Sequence, residues 1–362
     1  MSTPPTSTVH TASAEPGDRA APGLDQEIAF LASPAAYPER PATVTCIETH
    51  MSWVFLAGAD AYKLKKPVIH PFLDYSTAER RRHFCEEEVR LNRRLSPSIY
   101  LGVVALLLRP DGTLALGEPC EATVVDWLVR MKRLPEEAML HRAIASGTAG
   151  HDRLVPVADL LRRFFAAAQP AEPSPAAYLS RFSCELERNR AVLHDGVYGM
   201  PDEQIGHILS RLHRFLDEER ALLLTRLSAG CIIEGHGDLR PEHIHLGEPP
   251  CVIDCLEFDR ALRLLDPVEE LAFLALECRL IGGAEAGAFL LARCGSARLP
   301  AAPPRLVAFY TAFRACLRAR LSLAHLQEAA PREPEKWRPR ALAYLAEAER
   351  ACAMLEAPQA AP

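Results

Sequence analysis

Glu234-Gly235-His236-Gly237-Asp238-Leu239-Arg240-Pro241-Glu242-His243-Ile244-His245-Leu246 is the densest polar stretch of the chain. After a Pro-Pro turn it is followed by Cys251-Val252-Ile253-Asp254-Cys255-Leu256-Glu257-Phe258-Asp259. The flanks Cys231–Ile233 and Val252–Ile253 read as short buried strands. Residues 236–260 hold six acids (Asp238, Glu242, Glu248, Asp254, Glu257 and Asp259) against Arg240 and Arg260. Acids gathered at the mouth of buried strands repel one another unless a cation sits among them. A divalent ion is the economical answer, because carboxylates suit hard cations such as Mg²⁺.

Upstream, a second charged feature demands a partner. Residues 76–95 read as a helix, with Ser76 and Glu79 as a capping box. Phe84, Glu88, Leu91 and Leu95 follow steps of four, three and four and so form one stripe. Glu88 lies inside that apolar stripe, and a lone buried carboxylate costs several kcal/mol unless it meets a cation. Lysine supplies a candidate. The chain has 36 arginines and only five lysines, three of them in Ala61-Tyr62-Lys63-Leu64-Lys65-Lys66. Residues 43–49, 53–56 and 61–65 read as strands, with a turn at Gly58-Ala59-Asp60. Alternation puts Lys63 and Lys65 on one face and does not choose between them.

Residues 101–108 and 121–131 read as strands flanking a hairpin at Arg109-Pro110-Asp111-Gly112. Past residue 134 the pattern becomes helical, with candidates at 135–146, 155–168, 204–226, 267–281, 302–327 and 338–355. Gln169–Ala177, with three prolines, reads as a loop, and Asp266 before Pro267 as a helix N-cap. A β-rich segment thus precedes a helix-rich one. This predicts an α+β molecule of two lobes with a cleft between them: a tail at 1–23, an N-lobe at 24–130 and a C-lobe at 131–356.

Composition narrows the class. The 362 residues carry a net charge of −6, with 49% apolar and 24% charged residues, as in ordinary globular proteins. The mild acidity argues against nucleic-acid binding. No apolar run approaches the length that spans a bilayer, and residues 1–23 lack the basic start and apolar stretch of a signal peptide. Eleven cysteines with no C-x-x-C pair read as reduced thiols of a cytoplasmic protein. Glycine is never followed by lysine, so no P-loop is present.

His236-Gly237-Asp238…His243 followed by Ile253-Asp254 resembles the catalytic and metal loops of the aminoglycoside phosphotransferase family, whose fold is protein-kinase-like. Ala61-x-Lys63 resembles the strand carrying that fold's phosphate lysine, and Glu88 its ion-pairing helix glutamate. The likeness is strongest to the group found alone or fused to a P-loop ATPase domain. It covers most of 41–355, with 140–225 weakly matched. It implies a bilobal kinase with ATP and Mg²⁺ as cofactors and a small-molecule hydroxyl acceptor. Asp238 would be the base and Asp254 the metal ligand. Lys63 would contact the phosphates and pair with Glu88, and the backbone near Val129–Met131 would receive adenine. The acidic surroundings of the catalytic loop would suit a cationic acceptor. The family's second metal ligand is usually Asn, and here that position is His243. Imidazole suits softer ions than Mg²⁺, leaving open a single metal site, use of Mn²⁺, or weak or lost activity. Two other readings stand beside this one. One is a kinase-fold protein that binds nucleotide and regulates without turnover. The other is a zinc hydrolase built on His236, Asp238, His243 and His245.

Overall fold

A computed structural model describes residues 22–70, 73–119, 122–294, 301–327 and 332–356. The expected tail at 1–23 lies almost wholly outside the described residues. Among those described, the N-terminal part builds a six-stranded antiparallel sheet. Its strands are β1 (Val44–Glu48), β2 (Ser52–Ala57), β3 (Asp60–Lys65), β6 (Tyr100–Leu108), β7 (Leu114–Gly117) and β8 (Thr123–Lys132). The order is β1-β2-β3-β8-β6-β7. A two-stranded ribbon, β4 (Ile69–His70) and β5 (Leu73–Asp74), lies between β3 and β6 in sequence.

Period-two alternation gives this sheet its two faces. Tyr62, Leu64, Leu106 and Leu128 bury one face against Leu31 of α1 (Leu24–Leu31). Val129 and Tyr100 turn the other way, onto Cys85 and Val89 of α2 (Ala78–Asn92), joined by Met131 and Ile253. Each such apolar side chain contributes about 1.5–3 kcal/mol on burial. Lys63 and Lys65 share the α2 face, as the alternation predicts. The helix departs from expectation at its start. Thr77, not Ser76, is the N-cap, accepting from the Arg80 amide at 3.3 Å, while the Ser76 hydroxyl turns back to Asp74. The Arg109–Gly112 turn also joins β6 to β7 rather than to β8; β7 was not expected.

The helical part begins with α3 (Leu140–Ala145), α4 (His151–Ala167), α5 (Pro175–Leu193), α6 (Asp202–Glu218) and α7 (Arg220–Ser228). Short ribbons then interleave with the polar loops: β9 (Ile233–Glu234) with β12 (Leu264–Leu265), and β10 (Ile244–His245) with β11 (Cys251–Val252). The chain closes through α8 (Pro267–Leu280), α9 (Ala284–Arg293), α10 (Pro304–Ala324) and α11 (Pro334–Glu356). Helices α5 and α9 add to the expected set, and the single helix expected at 204–226 is split into α6 and α7. Part of the expected loop at 169–177 is the first turn of α5, where Pro175 occupies the position that needs no amide and Ser174 caps it. One core joins α5, α6, α8, α10 and α11. A second packs α4 and α9 against the ribbons. The whole is a bilobal α+β fold, sheet first and helices after.

Candidate active site

The charged groups singled out in the sequence meet on the α2 face of the sheet. Lys63 Nζ donates to Glu88 Oε1 at 3.0 Å and to Asp254 Oδ1 at 2.7 Å. Glu88 has no solvent exposure, and its second oxygen, Oε2, accepts from Lys65 Nζ at 2.6 Å. Lys65 is equally buried and also pairs with Glu257, whose Oε1 accepts from the Tyr75 hydroxyl at 2.5 Å. The buried carboxylate therefore has two ammonium partners where the sequence could not choose between them.

Burial alone would push both lysines down, but their acidic partners outweigh it. Asp254 and Glu88 raise Lys63, and Glu257 and Glu88 raise Lys65. Burial pushes Asp254 up, yet Lys63 and then His243 hold its carboxyl far below the usual range. Its backbone is left-handed, with φ of 62°, a conformation that non-glycine residues adopt at a cost. Neighbouring groups hold it there. The Asp254 amide donates to the Tyr100 hydroxyl at 3.1 Å, and the Cys255 amide donates to Asn92 Oδ1 at 2.9 Å. The Asp254 side chain keeps 45% of its surface open to solvent.

Asp238 joins this group through His243. The imidazole Nδ1–H donates to the Asp238 carbonyl at 2.8 Å, because a carbonyl can only accept. Nε2 lies 3.6 Å from Asp254 Oδ2 and 3.4 Å from Arg240 Nη2. One ring thus stands between the two aspartates. Burial pushes the Asp238 carboxyl up, but Arg240, His243 and Arg318 outweigh it and bring it to about 2. Arg240 Nε is 3.4 Å from Asp238 Oδ2.

The backbone of the 236–238 loop is fixed from below. Glu270, in the first turn of α8, accepts the amides of His236, at 2.7 Å, and Gly237. Burial pushes Glu270 up to about 7 against the pull of those amides. Gly237 has φ of 88°, so the sharp loop requires glycine. His236 is buried; its Nδ1 accepts from the Asp238 amide, and its Nε2–H donates to the Ile253 carbonyl at 2.9 Å. Burial brings its pKa down to about 4, so the ring is a neutral brace between the two loops. Arg94 donates to the carbonyls of Glu234 and Gly235, and Arg263 to that of Leu256. Asp266 caps α8, accepting from Val268, and pairs with Arg226.

Of the six residues expected at the site, Lys63, Glu88, Asp254, His243 and Asp238 form one connected group. Met131 stands apart in β8, paired in register with Ala61 and Tyr100, its side chain on the α2 face near Ile253. Lys65 is the partner that alternation left undecided. Tyr75, Asn92, Tyr100 and Glu270 were not singled out, and Glu257, expected as a solvated rim or a substrate contact, is instead enclosed with Lys65 and Tyr75. Among the described residues, no three His, Cys, Asp or Glu side chains are grouped to hold a metal ion. His236 is committed to Ile253, and His245 Nδ1 accepts from the Gly247 amide, so these imidazoles face different partners.

No protein-family model matches the chain. An uncharacterized protein of Mycobacterium tuberculosis is 34% identical over 291 residues, which is 78% of this chain and 55% of that protein. The chain spans about half the length of the curated relatives it matches. Among solved structures, a choline/ethanolamine kinase family protein from Mesorhizobium loti superposes with a TM-score of 0.51 at 16% identity, over 92% of this chain and 95% of the other. An AMP-bound spectinomycin phosphotransferase gives 0.51 at 11% identity, over 92% and 99%. The chain has the aminoglycoside-phosphotransferase form of the protein-kinase-like fold, as the sequence resemblance implies. Among the described residues no helix is long and apolar enough to cross a membrane.

Proposed function

We propose that this protein transfers the γ-phosphate of ATP to a hydroxyl of a small molecule, in the cytoplasm. The carrying observation is the chain of contacts Glu88–Lys63–Asp254–His243–Asp238. It sets one cation, one open carboxylate and one ionised aspartate side by side. Phosphoryl transfer requires little covalent help and depends on positioning and charge neutralisation. Lys63 binds the phosphates and Glu88 orients it. Asp238, ionised above about pH 2, orients the acceptor hydroxyl and accepts its proton. The adenine ring of the nucleotide rests on Met131 and Ile253, which share an apolar patch on the α2 face. The two lobes divide the work: residues 24–130 carry the nucleotide-binding strands and the Glu88 helix, and 131–356 carry the catalytic and metal loops.

The donor set fits a divalent ion. Asp254 offers a carboxylate suited to Mg²⁺, and His243 offers Nε2 beside it, which also suits Mn²⁺. Such an ion, when bound, neutralises charge on the transferred phosphoryl group. The AMP bound to the spectinomycin phosphotransferase neighbour supports an adenine nucleotide.

His243 favours one second reading, nucleotide binding without turnover. A single experiment separates the two. ATP consumption with Mg²⁺ or Mn²⁺ is measured across a library of hydroxyl-bearing metabolites, beside thermal stabilisation by the nucleotide. Turnover that falls ~10²–10⁴-fold in Asp238→Asn, with stabilisation retained, supports the kinase. Stabilisation without turnover supports the second reading, and equal turnover in wild type and variant removes Asp238 as base.

A further inference from the structure

Lys65 and Glu257 have no part in the transfer described above, yet they form an enclosed ion pair beside it. Lys65 has no solvent exposure, and the Glu257 side chain keeps 10% of its surface. They come from different lobes: Lys65 ends β3, and Glu257 lies three residues beyond Asp254. Lys65 also donates to Glu88 Oε2 at 2.6 Å, and Tyr75 donates to Glu257 Oε1 at 2.5 Å. The Lys65 ammonium further sits 5.0 Å above the Tyr75 ring.

The arrangement divides Glu88 between two cations. Oε1 goes to Lys63 and Oε2 to Lys65. Lys63 is shared in turn with the solvent-open Asp254. On the phosphotransfer reading, Lys63 must turn from Asp254 to the phosphates when nucleotide and metal arrive. Lys65 has no such exchange to make, since both its acidic partners are enclosed. We propose that the Lys65–Glu257 pair is a second clamp between the lobes, a pair of positioning residues. It holds Glu88 and the segment after Asp254 in place while Lys63 changes partners. The clamp makes the site selective for the metal-bound polyphosphate and leaves the adenosine subsite unaffected. This inference rests on the phosphotransfer reading.

The test compares dissociation constants for Mg·ATP and for adenosine by calorimetry. Wild type is set beside Glu257→Gln, Lys65→Met and the double variant Lys65→Met/Glu257→Leu. Removing Lys65 leaves the enclosed Glu257 without its cation and harms the fold, whereas Glu257→Gln leaves Lys65 with Glu88 alone. Replacing both by apolar residues of similar size is often tolerated, so the double variant keeps the test decisive. The double variant is expected to melt cooperatively and to bind adenosine as wild type does. Its preference for Mg·ATP over adenosine should fall roughly tenfold or more, the worth of one displaced charge-assisted contact. An unchanged preference in a folded double variant overturns the clamp, and so does an equal loss for both ligands, which is what general structural damage gives. Wild type that does not prefer Mg·ATP to adenosine contradicts the phosphotransfer reading itself.

Discussion

Glu270 shows how a single buried side chain ties the candidate site to stability. Its Oε1 takes the amides of His236 and Gly237, while Oε2 is enclosed with no hydrogen-bond partner among the described residues. An unfolded glutamate protonates near 4.5, and burial moves this one to about 7. Between those values the folded state binds more protons than the unfolded one. Stability therefore falls as pH rises from about 4.5 through about 7, and levels off above. The loss is about 3 kcal/mol, from 1.36 kcal/mol per pH unit. Glu270→Gln keeps an oxygen for the two amides and has no proton to lose. Urea unfolding at pH 5 and pH 8 should show that much less decline in the variant than in wild type. Equal declines would remove Glu270 as the source. Residues of this kind are hidden from sequence, because Glu269 and Glu270 are neighbours in one helix and only the approach of the loop distinguishes them. Glu88 was legible for the opposite reason: a charge inside an apolar stripe announces its own need for a partner. The same stripe could not reveal that two lysines answer it, since alternation places both on the same face.

Among the elements, α2 is the lever that carries Glu88, and its N-terminus is fastened by Thr77. The Thr77 hydroxyl accepts from the Arg80 amide, with Glu79 in the first turn. Thr77→Ala should cost about 1 kcal/mol of stability by thermal or urea unfolding, whereas Ser76→Ala should cost much less. The reverse order would restore Ser76 as the cap. Both residues suit the position chemically, so the choice depends on where the ribbon β4–β5 delivers the chain. Ser76 is claimed by Asp74 of β5. The sheet strands around Lys63 were readable because apolar alternation is local. Strand β7 was not, since four residues after a turn give alternation little to work with. Helix α5 was masked at its start by prolines that suit a first turn as well as a loop.

For the whole molecule, the order of features along the chain foretold the two lobes: lysine strand, glutamate helix, aspartate loops. Sequence could not foretell the contacts between lobes, which join residues far apart in the chain. Lys63 meets Asp254 across 191 positions, and Lys65 meets Glu257 across 192. Arg94 and Asn92, at the end of α2, reach Glu234 and Cys255 in the same way. These contacts join the sheet to the helical part around the part-exposed carboxylate of Asp254. The acids that suggested a cationic acceptor are largely taken up in them. Asp254 meets Lys63, Glu257 meets Lys65, and Asp259 caps the Ala261 amide.

The most direct measurement is a crystal structure with a non-hydrolysable ATP analogue and Mn²⁺, whose anomalous scattering locates the ion. The account places manganese in coordination with the Asp254 carboxylate and Lys63 on the phosphates, with the terminal phosphate facing Asp238. Nucleotide bound away from Lys63, or manganese held without Asp254, would contradict it.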